Sequence, residues 1–185
     1  DYGTIAVRTD GAVAHLTLNR PEVRNAMNPQ MIGEITDAFE IFNESEVIRA
    51  VVLRGNGGVF CAGGDLNWMK DVLGQTEEEV REDSRHLLNM YKAVNESPKL
   101  VIAALEGAVV AGGLGLVACS DVAIADAKTR FCVSEVKIGL APAIIAAFLL
   151  PRLGPGWMRY LSKTAVLFDC DTARTSGLIH EIAVD

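Results

Sequence analysis

The sequence has no Cys-x-x-Cys pair, no long basic run, and no stretch approaching the roughly 20 uncharged residues of a membrane helix. Each absence removes a class of function. The four cysteines, Cys61, Cys119, Cys132 and Cys170, stand apart among apolar or small neighbours, which reads as reduced core thiols in a cytoplasmic setting. His15, His86 and His180 are widely separated and none has a second ligand at metal spacing, so no metal site is expected. A formal net charge of -7 gives a nucleic-acid groove little electrostatic support. The opening DYGTIAVRTDG lacks the basic-then-apolar order of a secretory signal.

What is present suits a folded chain: 50% apolar and 22% charged residues in 185, read as one domain over 1–185. TIAVRTDGAVAHLTLNRP predicts two strands joined at Asp10-Gly11, with Pro21 stopping the second. Asn28 and Pro29 predict a helix start, and Met31, Ile35, Ala38, Phe39 and Phe42 recur at helical spacing. AVVLRG at 50–55 is an unbroken run that predicts a parallel strand covered on both faces. An acidic helix is predicted from about Glu77 to Asn95, ended by Pro98. Strands are predicted at 100–107 and 121–126, a small-residue helix between them, and helices at about 143–150 and 156–165. A last helix, capped by Asp171 or Thr172, is predicted to end at Gly177. Alternating elements predict an α/β core built on parallel strands.

Two glycine clusters each follow a strand: Ala62-Gly63-Gly64 and Ala111-Gly112-Gly113. If they converge, their bare backbone N–H groups can grip one oxygen from two sides, an oxyanion hole. For an isolated glycine pair, tight turns and close helix packing are the simpler account. The second cluster also fits G-x-G-x-x-A at 113–118 with Glu135 about 20 residues on, the pattern of a dinucleotide fold, although no first βαβ unit precedes it. Glu135 lies between apolar flanks, Phe131, Cys132, Val133, Val136 and Ile138, which suits a carboxyl that exchanges a proton near neutral pH. A salt bridge to Lys137 or Arg130 on a solvated edge is the alternative. Asp65 and Asp121 are explained by capping.

The ordered motifs LNRPEVRNAMN, AVVLRGNGGVFCAGGDLNWM and VIAALEGAVVAGGLGLVACSDVAIADAKTRFCVSEVKIGLAP resemble the crotonase superfamily, the enoyl-CoA hydratase/isomerase family, over nearly the whole chain. The resemblance implies a spiral of ββα turns, parallel sheets flanked by helices, assembled as homotrimers or hexamers. It implies a chain that stops short of the family's C-terminal helical region. Gly64 and Gly112 then donate to the thioester oxygen of an acyl-CoA, and Glu135 is the catalytic carboxylate. Arg24, Ala26, Ala62, Asp65 and Leu66 join those glycines in holding coenzyme A, which is part of the substrate, so no separate cofactor is implied. Trp68, Met69 and the helix after Leu73 are candidate acyl-pocket walls, although Met and aromatic residues at helical spacing also serve as plain core.

The family's hydratases commonly carry two glutamates; the first falls on Gly115. Single-glutamate members include Δ3-Δ2 enoyl-CoA isomerases and hydratases of branched, carboxylated enoyl-CoAs such as the methylglutaconyl type, and GGDLNWM and FCVSEVKIGLAPA resemble the latter. The reading is hydration of such a thioester, with isomerisation as the alternative and a binding protein on the same scaffold third. The substrate's own distal carboxylate, or another side chain, is expected to place water in a gap at Gly115. Cys61 or Cys132 as a nucleophile is a minor option.

Overall fold

A computed structural model of the chain describes residues 2–72 and 74–183. Strands β1 (Ile5–Asp10) and β2 (Val13–Leu18) form the antiparallel hairpin predicted at Asp10-Gly11. Pro21 opens a 3₁₀ turn instead of extending β2. Helix α1 (Pro29–Glu44) begins where Asn28 accepts a hydrogen bond from the Met31 N–H at 2.9 Å, and it buries Met31, Ile35, Ala38, Phe39 and Phe42.

The chain then makes three turns of one pattern. In the first, β3 (Ala50–Gly55) leads through Phe60 and Cys61 to α2 (Leu66–Val72) and α3 (Glu77–Asn95). In the second, β4 (Leu100–Leu105) and β5 (Ala108–Val110) lead to α4 (Gly112–Cys119). In the third, β6 (Val122–Asp126) and β7 (Arg130–Cys132) lead to a 3₁₀ turn at Glu135–Ile138 and to α5 (Ala143–Thr164), which bends at Gly154 between Pro151 and Pro155. Helix α6 (Cys170–Thr175) and β8 (Glu181–Ala183) follow.

The first strands of each turn line up in one sheet, β1-β2-β3-β4-β6-β8, parallel from β2 onward. The second strands form a narrow ladder in which Cys61 bridges Val109 of β5, β5 pairs with β7, and Phe131 of β7 bridges Phe168. This is the α/β spiral of ββα turns that the resemblance implied. The buried apolar side chains make one continuous cluster between the sheet and α1, α3, α4 and α5.

Three expectations need correcting. Strand β3 alternates instead of being covered on both faces: Val51 and Leu53 are buried while Val52 is half-buried and Arg54 exposed, because helices cover one face of the sheet. The cap of α6 is Asp169, whose carboxylate accepts from the Thr172 N–H at 2.9 Å, not Asp171 or Thr172. The sheet also runs in sequence order, without the reversal at which dinucleotides bind, and α4 follows a strand of the narrow ladder; the dinucleotide reading of residues 113–118 falls. Among the described residues no helix is long and apolar enough to cross a membrane.

Candidate active site

Residues 24–27 and 62–65 run side by side as a short parallel pair. The Ala62 N–H donates to the Arg24 carbonyl at 3.0 Å, Met27 N–H to Gly63 at 2.8 Å, and Asp65 N–H to Met27 at 2.8 Å. In such a bridge the middle residue turns its own peptide groups away, so the Gly64 N–H faces away from Met27. The second turn is strained. Ala111 holds φ 46° and ψ -116°, a conformation that costs an L-residue about 1–3 kcal/mol. It is held there by a bond from its N–H to the Cys132 carbonyl at 3.0 Å and by Leu114 N–H donating to its carbonyl at 2.9 Å. Gly112 is the first residue of α4, where an N–H has no partner within the helix.

The two turns meet. Gly63 has φ 100°, and a Cβ there would lie 3.0 Å from the Ala111 Cβ; a Cβ on Gly113 would lie 2.9 Å from that of Cys61. A Cβ on Gly112 would be 2.3 Å from the Met27 methyl, while Gly64 bridges the Met27 backbone, so both glycines converge on one residue. Gly63 and Gly113 are buried; Gly64 and Gly112 stay accessible.

Glu135 stands three residues beyond Cys132, within about 10 Å of chain from the partner of Ala111. It is half-buried, and its Oε2 is enclosed with no hydrogen-bond partner among the described residues. Burial raises its pKa above the usual carboxylate value, offset in part by its own backbone N–H. Neither alternative partner engages it: Lys137 points its ammonium to the Cys132 sulfur at 3.8 Å, and Arg130 donates to the Thr129 carbonyl at 2.9 Å.

The expected gap at Gly115 is absent. A Cβ there would meet the Tyr91 ring at 2.6 and 2.7 Å and the Ile145 Cγ2 at 2.8 Å, so the place of a first glutamate is filled by an aromatic ring from α3. Tyr91 is fully buried and its hydroxyl donates to the Gly112 carbonyl at 2.8 Å. Burial first, then the charges of Cys61, Cys119 and Glu135, push its phenol well above the ordinary value. The sequence gives no sign of this hydroxyl's partner, because helical spacing in α3 reports burial and not what a buried polar tip bonds.

The remaining candidates divide. Asp65 is buried and pairs with Arg20 at 2.9 Å, and its Oδ1 accepts from the Asn67 N–H at 2.9 Å. Burial opposes its ionised form, but those two partners outweigh burial and hold its pKa below the usual value. It therefore fastens the turn and has little left for a ligand. Arg20 also donates to the Ala26 carbonyl at 2.6 Å. Buried Asn25 accepts from the Arg20 N–H and donates to the Asn56 and Val59 carbonyls, tying the first loop to the β3 corner. Arg24 and Leu66 are exposed and Ala62 half-buried. Met69 packs its sulfur at Gly64, and the Trp68 indole N–H donates to Asp83 on α3 at 3.2 Å; Leu73 lies outside the described residues. Cys61 is not a nucleophile: full burial raises its thiol to about 12, against a weak opposing bond from Gly63 N–H. Cys132 is buried, with its thiol donating to the Ala165 carbonyl at 3.3 Å.

Comparisons with known proteins identify the family of the chain and its fold. Residues 8–185 match the family model described as enoyl-CoA hydratase/isomerase. The crystal structure of an enoyl-CoA hydratase from Shewanella pealeana superposes with TM-score 0.96 at 35% identity, over 98% of this chain and 68% of that one. Enoyl-CoA hydratase AKT6-1 of Alternaria alternata is 30% identical over 97% of this chain, which spans only 58% of that relative. The trans-2-decenoyl-acyl-carrier-protein isomerase of Streptococcus mutans is 32% identical over 98% of this chain and 70% of its own length. With matched motifs, matched fold and paired glycine turns on the same spiral, the chain belongs to the enoyl-CoA hydratase/isomerase family.

Proposed function

We propose that the protein hydrates the 2,3 double bond of an enoyl-CoA thioester, with Glu135 as its one catalytic carboxylate. The carrying observation is the enclosed Glu135 oxygen, without a hydrogen-bond partner among the described residues, three residues from the strand that holds the Gly112 turn. Ionised Glu135 takes a proton from water as the water oxygen bonds to the β-carbon. The π electrons move to the thioester oxygen, where the N–H groups of Gly64 and Gly112 stabilise the enolate; one such donor is worth about 100- to 1,000-fold in rate. Protonated Glu135 then gives its proton to the α-carbon, and one water has been added. Raised basicity suits a group that must accept and return a proton near pH 7.

Coenzyme A lies along the 24–27 and 62–66 pair in this reading, with exposed Arg24 toward a phosphate and the Ala26 and Ala62 backbone and exposed Leu66 beside the nucleotide. Asp65 shapes that turn through Arg20. A branched or carboxylated acyl group remains the proposed substrate, from the motif resemblance alone. The filled slot at Gly115 favours a second reading, Δ3-Δ2 isomerisation, since moving a proton from the α- to the γ-carbon needs one carboxylate and no held water. A homotrimer or hexamer is proposed, supported by Val136, Ile138 and Leu140, exposed at 44, 55 and 51% beside Glu135. Four buried, unpaired cysteines support a cytoplasmic location.

The test is incubation with 2-enoyl, 3-enoyl and glutaconyl-type CoA esters followed by mass analysis. A gain of one water supports hydration; a moved double bond at constant mass supports isomerisation; no change with any ester defeats both.

A further inference from the structure

We infer that Tyr91 is a positioning residue whose hydroxyl, bonded to the Gly112 carbonyl, fixes the direction of the Gly112 N–H, while its ring takes the place of a side chain at position 115. The inference rests on the oxyanion-hole reading of Gly112 and names what holds that donor in place.

The Gly112 turn is not a resting conformation of the backbone, because Ala111 sits at φ 46°. Left alone, Ala111 relaxes toward an ordinary conformation, and the peptide that carries the Gly112 N–H rotates with it. Ties from different elements resist this. Cys132 of β7 holds the Ala111 N–H, and Tyr91 of α3 holds the far side of Gly112 through its carbonyl. Tyr91 has little freedom of its own: it is fully buried, its ring is 5.5 Å from that of Phe148 on α5, and the bare Cα of Gly115 leaves room for its edge. A Cβ at Gly112 would be 3.0 Å from the Tyr91 hydroxyl oxygen, so the phenol tip sits against the proposed donor. A phenylalanine at position 91 would fill the same core space; the hydroxyl is the part that packing does not require.

Tyr91→Phe keeps the ring and removes the bond. In the free protein, labelled with ¹⁵N, the Gly112 amide resonance shifts in this variant while amides of β2 and α1 do not. With 4-(dimethylamino)cinnamoyl-CoA as a chromophoric thioester, the wild type shifts the absorbance to longer wavelength by polarising the carbonyl. The variant binds the probe within about twofold of wild type but shows a smaller shift, and its kcat falls about tenfold with KM nearly unchanged. An unmoved Gly112 resonance overturns the inference whatever the protein's substrate. An undiminished probe shift or kcat within twofold of wild type overturns it too. Failure of the wild type to bind the probe would count against the thioester reading, and the Gly112 resonance then decides the role of Tyr91.

Discussion

Replacing Gly115 with alanine is the smallest change that asks whether the ring of Tyr91 closes this position. Gly115 is interior to α4, so on helix propensity alone alanine stabilises by about 1 kcal/mol. Packing acts the other way. The added methyl would stand 2.6 and 2.7 Å from two ring carbons and 2.8 Å from the Ile145 Cγ2, where ordinary carbon contacts are about 3.5–4.0 Å. A rigid, fully buried ring packed 5.5 Å from that of Phe148 has no free space in which to yield nearly 1 Å, so the cost falls at the upper end of overpacking, about 3 kcal/mol. The net is about 2 kcal/mol of destabilisation, a fall of about 4–8 °C in Tm for a chain of this size. Thermal unfolding followed by circular dichroism measures it. In a Tyr91→Ala background two of the three close contacts vanish, and a double-mutant cycle should return a coupling of about 1 kcal/mol or more. A Gly115→Ala protein that melts at or above the wild-type temperature would refute the packing argument.

Glu135→Gln should lower turnover about 100-fold or more while retaining CoA-ester binding, measured by the mass assay and by equilibrium titration. The same variant should melt higher than wild type at pH 8. A carboxyl whose pKa rises on folding costs stability while ionised, and the difference between the two proteins should close as pH falls through the folded pKa and below 4.5, where the carboxyl is protonated in the folded and unfolded chain alike. Asp65→Asn should cost about 3 kcal/mol at pH 7 by leaving Arg20 without its buried partner. A carboxyl with a lowered folded pKa stabilises fully above its unfolded value and loses that contribution as the pH falls on through the folded one, so that deficit should shrink as the pH drops below 3.8 in chemical denaturation series. Iodoacetamide at pH 8 should leave Cys61 unmodified in the folded protein, as peptide mapping will show, since its thiolate form requires a pH near 12.

The main sheet and the long helices are legible from the sequence where periodicity or caps are strong: Asn28 and Pro29 start α1, and Glu77 and Asn95 bound α3 as predicted. The narrow ladder is not. Strands β5, β7 and β8 have three residues each, too few to show a period, and the single rungs at Cys61 and Phe168 exist only through partners far along the chain. At the site, glycine pairs announce bare backbone but not direction, which depends on the Met27 bridge and on the Ala111 strain. Asp65 looks like a simple cap because Arg20, its main partner, is 45 positions away. The emptiness of Gly115 in sequence suggests a space, and only packing reveals that another element has already filled it.

The ladder of Cys61, Val109, Phe131 and Phe168 has a consequence for how this protein comes into being. Every rung joins segments tens of residues apart, and the Ala111 N–H beside the second glycine pair is held by Cys132 of the third turn, so no fragment of one or two turns holds the whole arrangement. Local helices can appear early, but the reaction centre exists only once the whole winding has closed. During refolding, recovery of ellipticity will therefore precede recovery of turnover.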